Sequence, residues 1–84
     1  MMYKVLIKLY VPMIDEKYDL WLPLNKRVYN VILLLTKAID ELSGGYYKPE
    51  HTPMLYDKMT GAQYDISVNV KEAGIINGME LILM

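Results

Sequence analysis

Few side chains in this sequence are of the types that make or break bonds. His51 is the single histidine, beside Glu50 in a stretch flanked by Pro49 and Pro53. A metal site needs several His, Cys or carboxylate ligands converging, and no such set surrounds it, so His51 reads as a solvated loop residue. The chain has no cysteine, which removes thiolate nucleophiles, thiolate metal sites and disulfides together. Ser43 and Ser67 carry hydroxyls with no base in a recognisable motif. Gly44-Gly45 follows a helical pattern and does not precede one, so it is misplaced for cradling a phosphate. The residues assign no catalytic group, no metal ligand and no cofactor. The expectation is a protein that is not an enzyme.

Composition sets what must position the remaining side chains. At 84 residues the chain holds one small domain, spanning 1–84. Such a domain needs a dense core, and a hydrophobic content of 54% is consistent with one. The net charge is −1, with 9 basic and 10 acidic residues mixed along the chain. No basic stripe of a nucleic-acid binder appears, and no apolar run approaches the ~20 residues of a membrane span. Lys4 and Lys8 interrupt the apolar start, which makes it a poor signal peptide and a good strand. The absence of cysteine suits a reducing compartment.

Hydrophobic periodicity supplies the elements. Residues 3–10 alternate, with Tyr3, Val5, Ile7 and Leu9 on one face, which predicts a half-buried strand. Residues 11–17 carry Pro12 and charges for a reversal. A second strand follows, with Tyr18, Leu20, Leu22 and Leu24 inward and Asp19, Trp21 and Pro23 outward. Pro23 cannot donate to a ladder, which places this strand at a sheet edge. The period then changes, and Val28, Val31, Ile32, Leu35, Ile39 and Leu42 form a helical stripe. Asn25 is the expected N-cap, and Ser43-Gly44-Gly45 the C-terminal stop. Residues 46–53 read as a loop. Met54-Leu55-Tyr56 reads as a short strand, residues 57–61 as a turn, and Ala62-Gln63-Tyr64 as a very short return. Asn69 and Glu72 have the spacing of a capping box, with Val70, Ala73 and Ile75 as anchors. Asn77-Gly78 makes the last reversal, before a strand with Leu81 and Leu83 inward and Glu80, Ile82 and Met84 outward.

This order resembles ubiquitin over nearly the whole chain. Val28, Val31 and Leu35 fall at the buried positions of the ubiquitin helix, Asn30 matches as well, and Val70, Ile75, Leu81 and Leu83 match the framework around its last turn and strand. The ending, residues 73–84, and the segment Tyr18–Leu22 are also similar to the small bacterial ubiquitin-like proteins of the YukD/EsaB family. The loop 46–53 and the turn around Lys58 depart from that family in length. The resemblance implies an α+β, ubiquitin-like β-grasp fold, a mixed sheet of four or five strands packed on one helix. It also implies a small cytoplasmic accessory role with type VII, WXG-type, secretion, in which the partner is a secretion component.

Apolar residues remain after the core is filled. The solvent face of the sheet should carry Leu6, Trp21, Ile82 and Met84, with Met54 or Tyr56 beside them. Ubiquitin's strand order sets the last strand beside the first, so Ile82 is expected near Leu6, and Ile82 and Met84 fall at two positions of ubiquitin's binding patch. A clustered apolar face of this kind marks an interaction surface. Its expected use is to dock a protein partner or a second copy of the domain. Tyr29 and Leu33, four apart on the helix, form a second exposed ridge.

Two rival readings stand beside the adaptor. In one, the chain is a ubiquitin-like protein modifier or sulfur carrier. Both need a mobile tail ending in Gly-Gly, whereas this sequence ends Leu83-Met84 inside a strand, so a bound protein is expected and not an attached one. In the other, the chain is a self-assembling structural domain. Met1-Met2 and the short ending are read as the bounds of a whole protein.

Overall fold

The computed structural model describes residues 3–84; Met1 and Met2 lie outside them. Strand β1, Lys4–Val11, runs into a 3-10 turn, Pro12–Ile14, and returns as β2, Glu16–Pro23. Pro12 fits the first position of that turn, and Asp15 accepts a left-handed φ of 51° at its end, which aspartate tolerates better than most residues. The alternating residues Val5, Ile7, Leu9 and Val11 all point into the core. Helix α1 covers Val28–Leu42, and the chain then supplies β3, Leu55–Asp57, and β4, Glu80–Leu83. The sheet order is β2-β1-β4-β3, with β1 and β4 parallel and the other pairs antiparallel. The second strand is at the edge, as Pro23 requires.

Three expectations need correction. The helix is not capped by Asn25. Arg27 occupies the N-cap without a side-chain hydrogen bond. The first free N–H groups, of Val28 and Tyr29, instead donate to the carbonyls of Val68 (2.8 Å) and Ile66 (3.1 Å). A backbone segment thus replaces the side-chain cap. Leu42 follows the apolar stripe in angle but is 58% exposed, beside a groove it shares with Ile14, Glu16 and Tyr18. Ala62-Gln63-Tyr64 does not form a fifth strand; Gln63 makes one isolated bridge to Tyr56. The segment 46–53 is a loop, as expected, but one of its side chains belongs to the core. Tyr47 is 2% exposed, next to Tyr46 at 83%. Gly44 and Gly45, at φ 70° and 90°, turn the chain back, and the Tyr47 N–H donates to Ser43 Oγ at 3.1 Å. The Tyr47 ring thereby enters the core under the helix end.

The closing segment forms as expected. Glu72 N–H donates to Asn69 Oδ1 at 2.7 Å, and Asn69 N–H to Glu72 Oε1 at 3.2 Å, the reciprocal pair of a capping box. Val70 and Ile75 are buried behind it. Gly78, at φ 84°, makes the reversal into β4.

The two neighbouring tyrosines separate packing from exposure. Tyr47→Ala is expected to lower unfolding stability by about 3–5 kcal/mol, as loss of a buried aromatic does. Tyr46→Ala should stay within about 0.5 kcal/mol. Paired urea titrations check the contrast.

Tyr64 gives a pH-dependent prediction. Its hydroxyl is buried without a hydrogen-bond partner among the described residues. Burial, and then the charge of Asp57, raise its phenol above the ordinary value of 10.0. Burial raises Tyr47 in the same direction. A raised value means the fold favours the neutral phenol. That contribution is complete below the unfolded value and is lost as pH climbs through the folded one. Stability should therefore fall once pH exceeds 10. Tyr64→Phe removes the unsatisfied group, so it should match or exceed the parent at pH 7 and soften the alkaline decline. Thermal melts at neutral and alkaline pH read both effects.

Candidate protein-binding surface

The outer face of the sheet is built by the residues that alternate away from the core. Pairing places them in cross-strand rows. Trp21 lies opposite Leu6, Asp19 opposite Lys8, and Lys17 opposite Tyr10. On the other side of β1, Lys8 pairs with Glu80 and Tyr10 with Ile82, and Tyr56 follows beyond Ile82. Leu6 and Trp21 are 37% and 57% exposed, and Ile82 is half-buried.

This register corrects the expected patch. Ile82 sits beside Tyr10, four residues along β1 from Leu6 and so about 13 Å away. The reason is the last reversal. Asn77-Gly78 occupies the place next to Leu6: Leu6 N–H donates to Asn77 Oδ1 at 2.8 Å, and Gly78 N–H donates to the Leu6 carbonyl at 2.8 Å. The paired part of β4 therefore starts opposite Lys8. Leu6 and Trp21 form one apolar cluster, and Tyr10, Ile82 and Tyr56 form another. Between them runs a charged belt of Asp19, Lys8 and Glu80, extended by Lys58, whose Nζ lies 3.5 Å from Glu80 Oε2. Such an exposed pair adds little stability, but alternating charge between two apolar clusters imposes orientation on anything that docks.

Met84 joins neither cluster. It is 60% exposed and exchanges backbone hydrogen bonds with Met54. With Met13, Tyr47 and Leu83 it borders a shallow hollow of about 420 Å³, and the exposed loop residues Glu50 and His51 line the same hollow. At the same end of the sheet, on β1, the Tyr10 hydroxyl donates to Asp15 Oδ1 at 3.0 Å, and Lys17 Nζ stands 6.0 Å from the Tyr10 ring centre. The hydrogen bond to Asp15 is the main cause that holds the Tyr10 phenol above its usual range.

The helix carries two exposed flanks. Tyr29 and Leu33 are 45% and 43% exposed on one. The other is not among the surfaces the sequence predicts: Leu34 is 51% exposed there, and Leu42, at the end of the stripe itself, is 58% exposed. Helical angle alone places Leu34 off the buried stripe, but nothing in the stripe reveals that Leu42 is left uncovered. Leu42 and Tyr46 meet Ile14, Glu16 and Tyr18 in a groove of about 430 Å³. Among the described residues no three His, Cys, Asp or Glu side chains gather as a metal site, and no helix is long and apolar enough to cross a membrane.

The register predicts which residues couple. A double-mutant cycle on unfolding stability should give Leu6→Ala and Trp21→Ala an interaction of about 0.2–1 kcal/mol, the range of directly opposed pairs. Trp21→Ala and Ile82→Ala should add within about 0.5 kcal/mol, because they lie too far apart to touch.

The sequence matches no protein-family model and no curated protein. Solved structures are similar across its length. The ubiquitin-like domain of the Mycobacterium tuberculosis type VII secretion system protein ECCD1 has a TM-score of 0.66 at 12% identity, covering 99% of each chain. Ubiquitin from Caldiarchaeum subterraneum has a TM-score of 0.66 at 17% identity, covering 95% of this chain and 90% of the other. A chain of the MycP5-free ESX-5 inner membrane complex has a TM-score of 0.72 at 13% identity, with 99% of this chain matched to 21% of that one. At these identities the likeness concerns the fold, and the fold of this chain is the ubiquitin-like β-grasp, a mixed four-stranded sheet on one helix.

Proposed function

We propose that this protein is a non-enzymatic, cytoplasmic, ubiquitin-like adaptor of a bacterial type VII secretion system, of the YukD/EsaB kind. The observation that carries the reading is its end-to-end match to a ubiquitin-like domain of such a system, 99% of each chain. A fold by itself hosts many functions. The second support is a surface suited to docking. Trp21, a residue type enriched among binding hot spots, stands 57% exposed beside Leu6 on the open face of the sheet. Single exposed apolar residues are ordinary; a directly opposed Trp–Leu pair bordered by a charged belt has both an anchor and an orienting rim. The mechanism is the capture of a membrane component of the secretion machinery on this face, with no bond made or broken.

The test is a binding titration against the ubiquitin-like and cytoplasmic portions of the secretion membrane components of the same bacterium. Trp21→Ala should weaken binding by about tenfold or more, the effect of losing a hot-spot residue. Met59→Ala, at a side chain 93% exposed on the turn after β3, should leave binding unchanged. Equal binding by the triple variant Leu6→Ala, Trp21→Ala and Ile82→Ala would sink the reading. Intact-mass analysis after incubation in native lysate addresses the modifier alternative. The expected result is the unmodified mass, and a covalent adduct with another protein would favour conjugation instead.

A further inference from the structure

The two edges of the sheet are not alike. Beyond β3 the chain folds back on itself: Asp57 N–H donates to the Ala62 carbonyl and Tyr64 N–H to the Leu55 carbonyl, both at 2.9 Å. That edge is covered. The β2 edge, Glu16–Pro23, has no neighbour among the described residues. Which of its backbone groups face outward follows from one bond. Leu24 N–H donates to the Tyr3 carbonyl at 2.8 Å, so in an antiparallel ladder of this register the even residues of β2 bond to β1. The N–H and C=O groups of Lys17, Asp19 and Trp21 therefore point out of the sheet, and at Pro23 no donor exists. An open edge of this kind is a template for an added strand.

We infer that the strand it takes is β2 of a second copy, paired antiparallel about a two-fold axis through Tyr18. An antiparallel strand pair is its own two-fold and needs one surface only. Outward-bonding residues must face outward-bonding residues, which leaves few registers. With Asp19 on the axis, two carboxylates would oppose each other directly. With Leu20 on the axis, Lys17 would face Pro23, which has no N–H to give. With Tyr18 on the axis, Lys17 of each copy faces Asp19 of the other, twice, and Pro23 falls beyond the ladder. Opposite charges directly across a ladder attract, and like charges repel. The same register stacks the two Tyr18 side chains on the helix side of the sheet. It also sets Leu20 of each copy opposite Glu16 of the other, at the groove where Ile14, Glu16, Tyr18, Leu42 and Tyr46 meet. The half-buried Leu20 of the other copy is thereby brought to the groove that the exposed Leu42 and Tyr46 border. The assembly is an eight-stranded sheet continuous across two domains. It uses an edge, where the docking reading uses a face.

The experiment is a concentration series followed by sedimentation and by residue-resolved hydrogen exchange. A reversible dimer is expected. The amides of Lys17 and Asp19 should slow as concentration rises, while those of Tyr18 and Leu20, already bonded to β1, stay constant. Lys17→Asp or Asp19→Lys alone sets like charges opposite each other and should weaken the dimer on the order of tenfold. The double variant K17D/D19K should restore it. A protein that stays monomeric at millimolar concentration overturns the inference. So does a dimer in which the Lys17 and Asp19 amides still exchange freely, or one that the single charge reversals leave intact. The exchange series uses the unsubstituted protein, so it decides between these outcomes even where a variant fails to fold.

Discussion

The parallel pairing of β1 with β4 is the constraint on which the rest of the structure depends. It joins the first strand of the chain to the last, with Leu9 beside Leu81, and both side chains are fully buried. A parallel pair cannot close through a tight turn and needs a long crossover. Here the crossover contains α1, β3 and the capped turn at Asn69. Each of those elements must be in place for Leu81 and Leu83 to reach the core. The β1–β2 hairpin is local by comparison and supplies a preformed surface for the pairing.

The register of that pair is held from its end as well as its middle. Asn77 Oδ1 and the Gly78 N–H satisfy both backbone groups of Leu6. A one-residue slip would turn every β4 side chain to the opposite face, and it would also break this clamp. The same two residues determine the outer surface. By occupying the place beside Leu6 they displace Ile82 along the strand and put Lys8 next to Glu80. The apolar face divides into two clusters with charge between them because a turn, and not a strand, ends next to Leu6.

Much of the architecture is legible in the sequence because its signals are local. The alternation in β1 and β2, the stripe Val28–Ile39 in α1 and the Asn69–Glu72 box each depend on residues a few positions apart, and each forms where its pattern places it. The features that are not legible depend on contacts between distant segments. The helix start is one, because Val68 and Ile66 supply the acceptors that the local pattern assigns to Asn25. Tyr47 is another, since no periodicity marks a single ring swinging inward after Gly44-Gly45. The candidate surface shows the same division. Leu6, Trp21, Ile82 and Met84 all lie toward solvent as alternation requires, with Ile82 the least exposed. Their grouping depends on inter-strand register, and it differs from the expected one.

The arrangement separates two kinds of surface with different chemistry. The outer face offers side chains: an aromatic anchor at Trp21, an aliphatic neighbour at Leu6 and a belt of alternating charge. Recognition there depends on shape and charge. The β2 edge offers backbone: donors and acceptors at Lys17, Asp19 and Trp21 without partners among the described residues, beside a groove that begins at Tyr18. Recognition there is directional and requires an extended strand. Trp21 belongs to both, since its side chain lies on the face and its peptide group on the edge. A strand added at β2 would extend the sheet beside Trp21 without covering the side of Leu6 that meets solvent. The geometry therefore lets face and edge be occupied together, and pairing at the edge would present two copies of the face on one continuous sheet. For a small domain with a limited surface, such duplication is a direct route to avid binding of a repeated partner.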